Sequence, residues 1–296
     1  MNNRRYQLIV FITLFGILSG LSGYYLYSSI EPDSAPILPT QPQPTAAAQI
    51  EPTPELPPLS RPVDEEPGVK DGVKDKPAPL PEKIAYLTFD DGPSPEVTPL
   101  ILATLKKYEV KATFFVVGWE VEAYPELARA IIEQGHALGN HTYSHQYARI
   151  YQSPQAFVDD LVHAEKIINE ITGIKPRIMR APGGSNAFLT AEYVRLLNNL
   201  GYVYYDWNVS SCDAALGGNI PAPDIVRNVL SQSSQNKTAI ILMHDASDKL
   251  STAAALPEII EGLKRQGFSF QVLTPAVKPV QFPLRPDHTV KKNETH

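Results

Sequence analysis

Residues 83–139 read KIAYLTFDDGPSPEVTPLILATLKKYEVKATFFVVGWEVEAYPELARAIIEQGHALG. Ile84–Phe89 is a short apolar run with strand character. Glu96–Tyr108 repeats Leu100, Ile101, Leu105 and Tyr108 at helical spacing. Ala112–Val117 predicts a second strand, Pro125–Gln134 a helix stopped by Gly135, and Ala137–Gly139 a short third strand. The alternation continues to the right. Ser153 caps a helix with Pro154 at its first position, running to Thr172 and Gly173. Strands are predicted at Arg177–Arg180, Tyr202–Asp206, Ala239–Met243 and Phe268–Leu273, with helices at Thr190–Leu200, Asp224–Ser231 and Leu256–Arg265. Repeated βα units with apolar strands argue for a parallel sheet covered by helices. An open doubly wound sheet and a barrel both fit. The number of units favours a distorted, incomplete (β/α) barrel of about seven parallel strands, whose chemistry sits at the strand C-termini.

To the left the composition changes. Of the 28 prolines, 14 fall in residues 31–82, a stretch with no Phe, Tyr or Trp and a net charge of −6. Such a segment has too little apolar surface to offset the entropy of folding, and proline favours extended polyproline II. It reads as a disordered, semi-stiff linker. Before it, residues 8–26 (LIVFITLFGILSGLSGYYL) carry no charge, and Arg4 and Arg5 precede them. That length is close to the ~20 residues that cross a hydrocarbon core, and the positive flank keeps the N-terminus inside. A cleaved signal peptide is the rival reading; the run is longer than a usual signal core and no A-x-A-like site follows. The expected organisation is a membrane anchor at 1–30, a linker at 31–82, a catalytic domain at 83–275 on the far side of the membrane, and a tail at 276–296 without periodicity.

The whole chain has 296 residues and a net charge of −6, which excludes the basic footprint of a nucleic-acid binder. A single cysteine, Cys212, excludes internal disulfides and Cys-rich metal sites; it reads as a small buried filler.

Five strand ends carry polar clusters: Phe89-Asp90-Asp91-Gly92-Pro93, Asn140-His141-Thr142-Tyr143-Ser144-His145, Arg180-Ala181-Pro182-Gly183-Gly184, Asp206-Trp207 through Asp213, and Leu242-Met243-His244-Asp245. Each alone has a bland reading as a turn or a surface ion pair. Five together at the catalytic end of one scaffold do not. Zinc takes His nitrogen and carboxylate oxygen. His141 and His145, aimed by a helical turn or a tight loop, would bind one ion with a carboxylate from Asp90 or Asp91. The other acid is left to act on water, and His244 is left as a general acid. Metal, base and acid together suit hydrolysis of an unactivated acyl bond.

These motifs resemble the polysaccharide deacetylases of carbohydrate esterase family 4, the NodB-homology domain, over about Lys83 to Leu273. The resemblance implies that Asp91, His141 and His145 hold the metal, usually zinc, with cobalt or another divalent ion an alternative. It implies that Asp90 is the base that activates water, held by Arg180. His244 would protonate the departing amine, oriented by Asp213. The Gly183 N–H would stabilise the oxyanion, Leu242 would line the acetyl pocket, and Trp207 would join the substrate-binding surface. Two departures stand out. Gly183 occupies a position that is usually aromatic, and Ala214 follows Asp213 where Trp or Tyr is usual; both remove surface on which a sugar ring could pack. The implied function is removal of N-acetyl groups from a cell-envelope polysaccharide, first of all N-acetylglucosamine of peptidoglycan. The alternative is a weak or inactive glycan-binding or morphogenetic protein of the same fold. A glycoside hydrolase using Asp90 and Asp91 is disfavoured, because adjacent residues can hardly flank a glycosidic bond.

Overall fold

β1 (Lys83–Asp90) is the central strand, and its alternation sets the layers. Ala85, Leu87 and Phe89 join one apolar cluster, and Tyr86 joins another on the opposite face. A computed structural model describes residues 83–215 and 220–286. The expected anchor at 8–26, the linker at 31–82 and tail residues 287–296 lie outside the described residues. Among the described residues no helix is long and apolar enough to cross a membrane.

The other strands are β2 (Thr113–Val116), β3 (Ala137–Asn140), β4 (Ile178–Met179), β5 (Val203–Tyr204), β6 (Val209–Ser210), β7 (Thr238–His244) and β8 (Phe268–Phe270). Seven run in the order β5-β4-β3-β2-β1-β7-β6, and β8 pairs with the first residues of β1. Every pairing is parallel. Residues 205–208 carry the chain from the β5 edge to the β6 edge: Tyr205 N–H bonds Met179 O at 2.9 Å, and Asn208 N–H bonds Ile240 O at 3.2 Å. The sheet is therefore curled into an incomplete barrel, with no strand pairing across the seam between β5 and β6 among the described residues.

Helices cover the outside. They are α1 (Thr98–Lys107), α2 (Gly118–Ala123), α3 (Pro125–Glu133), α4 (Tyr147–Ile150), α5 (Pro154–Thr172), α6 (Ser185–Phe188), α7 (Ala191–Asn199), α8 (Ala222–Ser233) and α9 (Leu250–Arg265). α5 starts as its sequence predicts: the Ser153 hydroxyl accepts the Ala156 N–H at 3.1 Å. It ends at Gly173, whose φ of 73° is the left-handed conformation that glycine adopts cheaply.

Inside the barrel Tyr86, Phe115, Ile178, Tyr205, Ile240 and Leu273 form an apolar floor. Gly139 makes it possible, since a Cβ there would stand 2.3 Å from the Phe115 ring. Above the floor lies a polar layer of buried Thr88, Asp90 and Arg180.

Several predicted boundaries need correction. β6 is an additional two-residue strand; so short a run carries no period-2 signal. α2, α4 and α6 have only six, four and four residues, too few for apolar periodicity to show. Leu100, counted in the helical spacing of α1, is exposed; Ile101, Leu102 and Leu105 are the buried face. α9 begins at Leu250, not Leu256. Pro257 lies inside it, and burial of Thr252, Ala253, Ala255 and Leu256 offsets the missing hydrogen bond. Residues 276–286 belong with the barrel: Tyr205 Oη–H donates to Thr274 O and Val277 O, and Asp206 N–H to Val280 O. Phe282 N–H reaches Asp206 Oδ2 at 2.7 Å, and Arg285 N–H reaches Leu189 O at 2.9 Å. This segment runs along the seam and continues the globular unit beyond residue 275.

Candidate metal centre and acid–base pair

The parallel register explains why the polar residues meet. Asp90 pairs with His244 across β1 and β7, and Thr88 pairs with Leu242. Thr88, Asp90, Leu242 and His244 thus share the inner face. β3 ends at Asn140 and β4 at Met179, so His141 and Arg180 are the first residues past neighbouring strand ends.

Asp91, His141 and His145 converge. Asp91 Oδ1 lies 3.3 Å from His141 Nε2 and 3.2 Å from His145 Nε2. One donor atom from each lies within 4.8 Å of the others. His141 Nδ1 is 2.8 Å from the Arg180 carbonyl oxygen. A carbonyl only accepts, so Nδ1 carries the proton and Nε2 presents a lone pair. Asp91 Oδ1 is buried and has no hydrogen-bond partner of its own. Converging lone pairs around an orphaned carboxylate oxygen fit a divalent cation. In a tetrahedral site with bonds of ~2.0–2.1 Å, neighbouring ligand atoms stand about 3.3 Å apart. The charges agree with this. Burial works against the charge of Asp91, yet the adjacent His141 and then His244 and His145 hold its pKa well below the usual range. Burial also disfavours a charged His141, but Asp90 and Asp91 raise it. Burial, then His141, push His145 down to about 4.

The pair of acids is now distinguished by geometry. Asp91 faces both imidazoles, whereas Asp90 Oδ2 stands 3.9 Å from His141 Nε2 and its Oδ1 accepts from Arg180 Nη1 at 2.8 Å. Arg180 is fully buried. Its nitrogens also donate to Thr88 Oγ1 (2.7 Å), Tyr205 O (3.0 Å) and Asp206 O (3.3 Å), and the guanidinium lies 4.3 Å from the Phe115 ring centroid.

Across the site His244 Nδ1 is 2.7 Å from Asp213 Oδ1, and Asp213 Oδ2 accepts the His244 backbone N–H at 2.8 Å. Burial alone would lower the histidine; the hydrogen bond and charge of Asp213 outweigh it and raise His244 to about 9. Asp213 is lowered in return: burial raises it, and the His244 hydrogen bond and charge prevail.

The substrate-facing residues are less uniform. Leu242 is buried on β7. Trp207 sits at the seam, 5.7 Å from the Arg180 guanidinium and edge-on to Phe282 at 5.0 Å. Gly183 is exposed with φ of 77°, and the space in front of it is filled by the ring of Tyr147. A ring from α4 thus lies where Gly183 itself offers no side chain. Cys212 is exposed, not buried, because its φ of 59° turns the chain outward just before Asp213.

Asp160 and Thr252 escaped the sequence reading, and Asn140 and Asp245, which lie in the quoted clusters, were given no role there. Asp160 of α5 accepts the N–H groups of Tyr143 and Ser144 at 2.7 and 2.8 Å, fixing the loop between the histidines. The signal was present: an acid within the buried stripe Phe157, Leu161, Ala164, Ile168. Asn140 Oδ1 accepts the Thr142 N–H at 2.9 Å. Thr252 Oγ1–H donates to Asp213 Oδ2 at 2.8 Å. Asp245 accepts from Gly92 N–H and Thr98 Oγ1, anchoring the turn that presents Asp91. Asp91, Thr142 and His145 all have positive φ, a concentration of backbone strain expected where geometry serves function.

Chemistry at the C-terminal ends of parallel strands is the mark of a barrel enzyme, and converging His, His and Asp donors are what metal-assisted hydrolysis requires. A model of the polysaccharide deacetylase family matches residues 78–205. A peptidoglycan-N-acetylglucosamine deacetylase of Bacillus cereus is 34% identical over 195 residues, 65% of this chain and 87% of that one. A chitooligosaccharide deacetylase of Bradyrhizobium is 33% identical over 200 residues, 64% of this chain and 88% of that one. The crystal structure of the catalytic domain of peptidoglycan N-acetylglucosamine deacetylase from Eubacterium rectale superposes with a TM-score of 0.64 at 35% identity, covering 71% of this chain and 96% of that one. The chain belongs to the polysaccharide deacetylase family.

Proposed function

We propose that this protein is a metal-dependent hydrolase that removes N-acetyl groups from a cell-envelope polysaccharide, with N-acetylglucosamine of peptidoglycan as its first substrate. The observation that carries the reading is the convergence of Asp91, His141 and His145 within reach of one ion, flanked by Asp90 on one side and His244 on the other. Zinc suits this donor set, with cobalt or another divalent ion as the alternative. When bound, the ion supplies Lewis-acid polarisation and lowers the pKa of water.

The remaining work falls to the side chains. Asp90, held by Arg180, takes a proton from the attacking water as its oxygen bonds to the acetamide carbon. The Gly183 N–H donates to the carbonyl oxygen as charge develops there. The C–N bond then breaks, and His244, kept protonated by Asp213, gives its proton to the departing amine. Acetate and a free amino sugar leave. Leu242 and Trp207 supply apolar lining beside His244 and Arg180. The intact set of base, acid and three donors supports catalysis over a purely binding role.

The peptidoglycan assignment rests on relatives whose names carry that substrate and on the sequence argument for an anchor at 8–26 and a spacer at 31–82, which would hold the enzyme outside the membrane and beside the wall. Product analysis tests it. The metal-loaded full-length chain should release acetate and free amines from peptidoglycan in equal amounts, without new reducing ends. Asp90→Asn should reduce release by at least ~100-fold. New reducing ends, or full activity in Asp90→Asn, would overturn the assignment.

A further inference from the structure

We propose that Tyr147 is the residue on which the sugar ring packs, and that Gly183 lacks a side chain in this protein so that the Tyr147 ring can occupy its place beside the reaction centre. The inference rests on the deacetylase reading and adds a specificity-determining residue to it.

Tyr147 is 42% exposed although its ring is large and mostly apolar. It stands edge-on to His145, with ring centroids 5.5 Å apart and an interplanar angle of 89°. Its other contacts hold it in place: Phe188 at 5.6 Å and Tyr151 at 5.9 Å, the last two rings being stacked on each other at 3.9 Å. Tyr151 is itself fixed by a hydrogen bond from its hydroxyl to Pro182 O at 2.6 Å. An aromatic stack thus ties α4 to the Arg180–Gly184 loop and leaves one ring open to solvent at the metal cluster.

The space for that ring depends on Gly183. A Cβ built there would stand 3.0 Å from Tyr147 Cε1 and 3.2 Å from Tyr147 Oη. A side chain there would press on the ring, which would have to give by a few tenths of an ångström, and the φ of 77° independently disfavours one. The ring therefore lies against the very peptide whose N–H faces the acetamide in the proposed reaction. A pyranose offers an apolar face of C–H groups rimmed by hydroxyls. An exposed, rigid aromatic ring with a donor at its tip is complementary to both features.

The test uses the zinc-loaded full-length chain, wild type and with Tyr147→Ala, Tyr147→Phe, Gly183→Ala, and Tyr147→Ala with Gly183→Ala. Binding of an N-acetylglucosamine tetramer is measured by calorimetry, acetate release gives kcat and KM, and metal per chain is counted. Tyr147→Ala should weaken binding and raise KM by about tenfold, with metal content intact. Tyr147→Phe should stay within about threefold of wild type. Gly183→Ala should raise KM in the wild-type background and much less in the Tyr147→Ala background, because only a displaced ring makes the two changes non-additive; the strain at φ 77° is common to both arms. Should Tyr147→Ala fail to fold, Tyr147→Phe and Gly183→Ala carry the test. Wild-type affinity and KM in a folded, metal-loaded Tyr147→Ala would overturn the inference alone. A wild-type enzyme that neither binds the tetramer nor releases acetate would overturn the deacetylase reading with it.

Discussion

Arg180 is buried without any exposure, and among the described residues its charge is matched by one carboxylate at hydrogen-bond distance, that of Asp90. Removing one partner of such a pair leaves the other uncompensated, at a cost of about 3–5 kcal/mol. Asp90→Asn keeps an acceptor and should sit at the low end of that range, so its lost activity is distinguishable from unfolding. His244 gives the pH dependence. Its pKa in the folded protein, about 9, lies above the ordinary value of ~6.5. The acid form is therefore present through neutral pH, and activity should fall as pH rises through about 9. The stability drawn from the His244–Asp213 pair has the same sign: complete below ~6.5 and lost as pH rises through about 9. Asp213→Asn removes the partner while burial remains, so the alkaline limb of the pH–rate profile should move down by at least ~2 units. An unmoved limb would show that His244 is not the proton donor. At this scale the titrating residues were legible because acids and histidines stand out at strand ends. Asp160 and Thr252 were not, because each is a single polar residue on a helix, and its meaning depends on what faces it. Cys212 was misread for a related reason: only the left-handed backbone at that residue turns it outward.

The elements divide the site between them: β1 with its following turn, the loop after β3, the loop after β4, and the end of β7. The loop between the histidines is irregular, and it is ordered from outside by α5. Asp160 accepts two consecutive N–H groups there, and Arg149 approaches its other oxygen at 3.6 Å. Loss of such outer support typically costs 10–100-fold in metal affinity. Asp160→Ala should weaken zinc binding by about that factor, read by competition with a chromogenic chelator, and leave β1 and β7 unperturbed. Unchanged affinity would mean that the loop holds its own geometry. Long elements with regular period, α1, α3 and α5, were legible to within a few residues. The short helices α2, α4 and α6 and the two-residue strand β6 were not, since so few residues do not establish a period. α4 matters most among these, because it carries Tyr147. Its presence is decided by packing against Tyr151 and Phe188, which a linear pattern does not encode.

On the scale of the whole barrel, the unpaired seam between β5 and β6 is where function and architecture meet. A closed barrel would need a strand where residues 205–208 cross. In its place the Arg180 side chain donates to the carbonyls of Tyr205 and Asp206, and residues 274–285 cover the crossing from outside. The alternation of apolar strands and amphipathic helices made a parallel α/β sheet readable, and only the number of units favoured a barrel over an open sheet. The seam and its covering segment were not readable, because residues 274–286 have no periodicity and pack through backbone hydrogen bonds available to any sequence. The central claim is that one divalent ion at Asp91, His141 and His145 makes this barrel a deacetylase. Its most direct test strips the full-length chain with chelator, restores zinc stepwise, and follows acetate release from peptidoglycan against metal bound per chain. The account predicts no release from the stripped protein and recovery in proportion to zinc, complete at one ion per chain. Full release by the stripped protein, or one bound ion without any release, would contradict it.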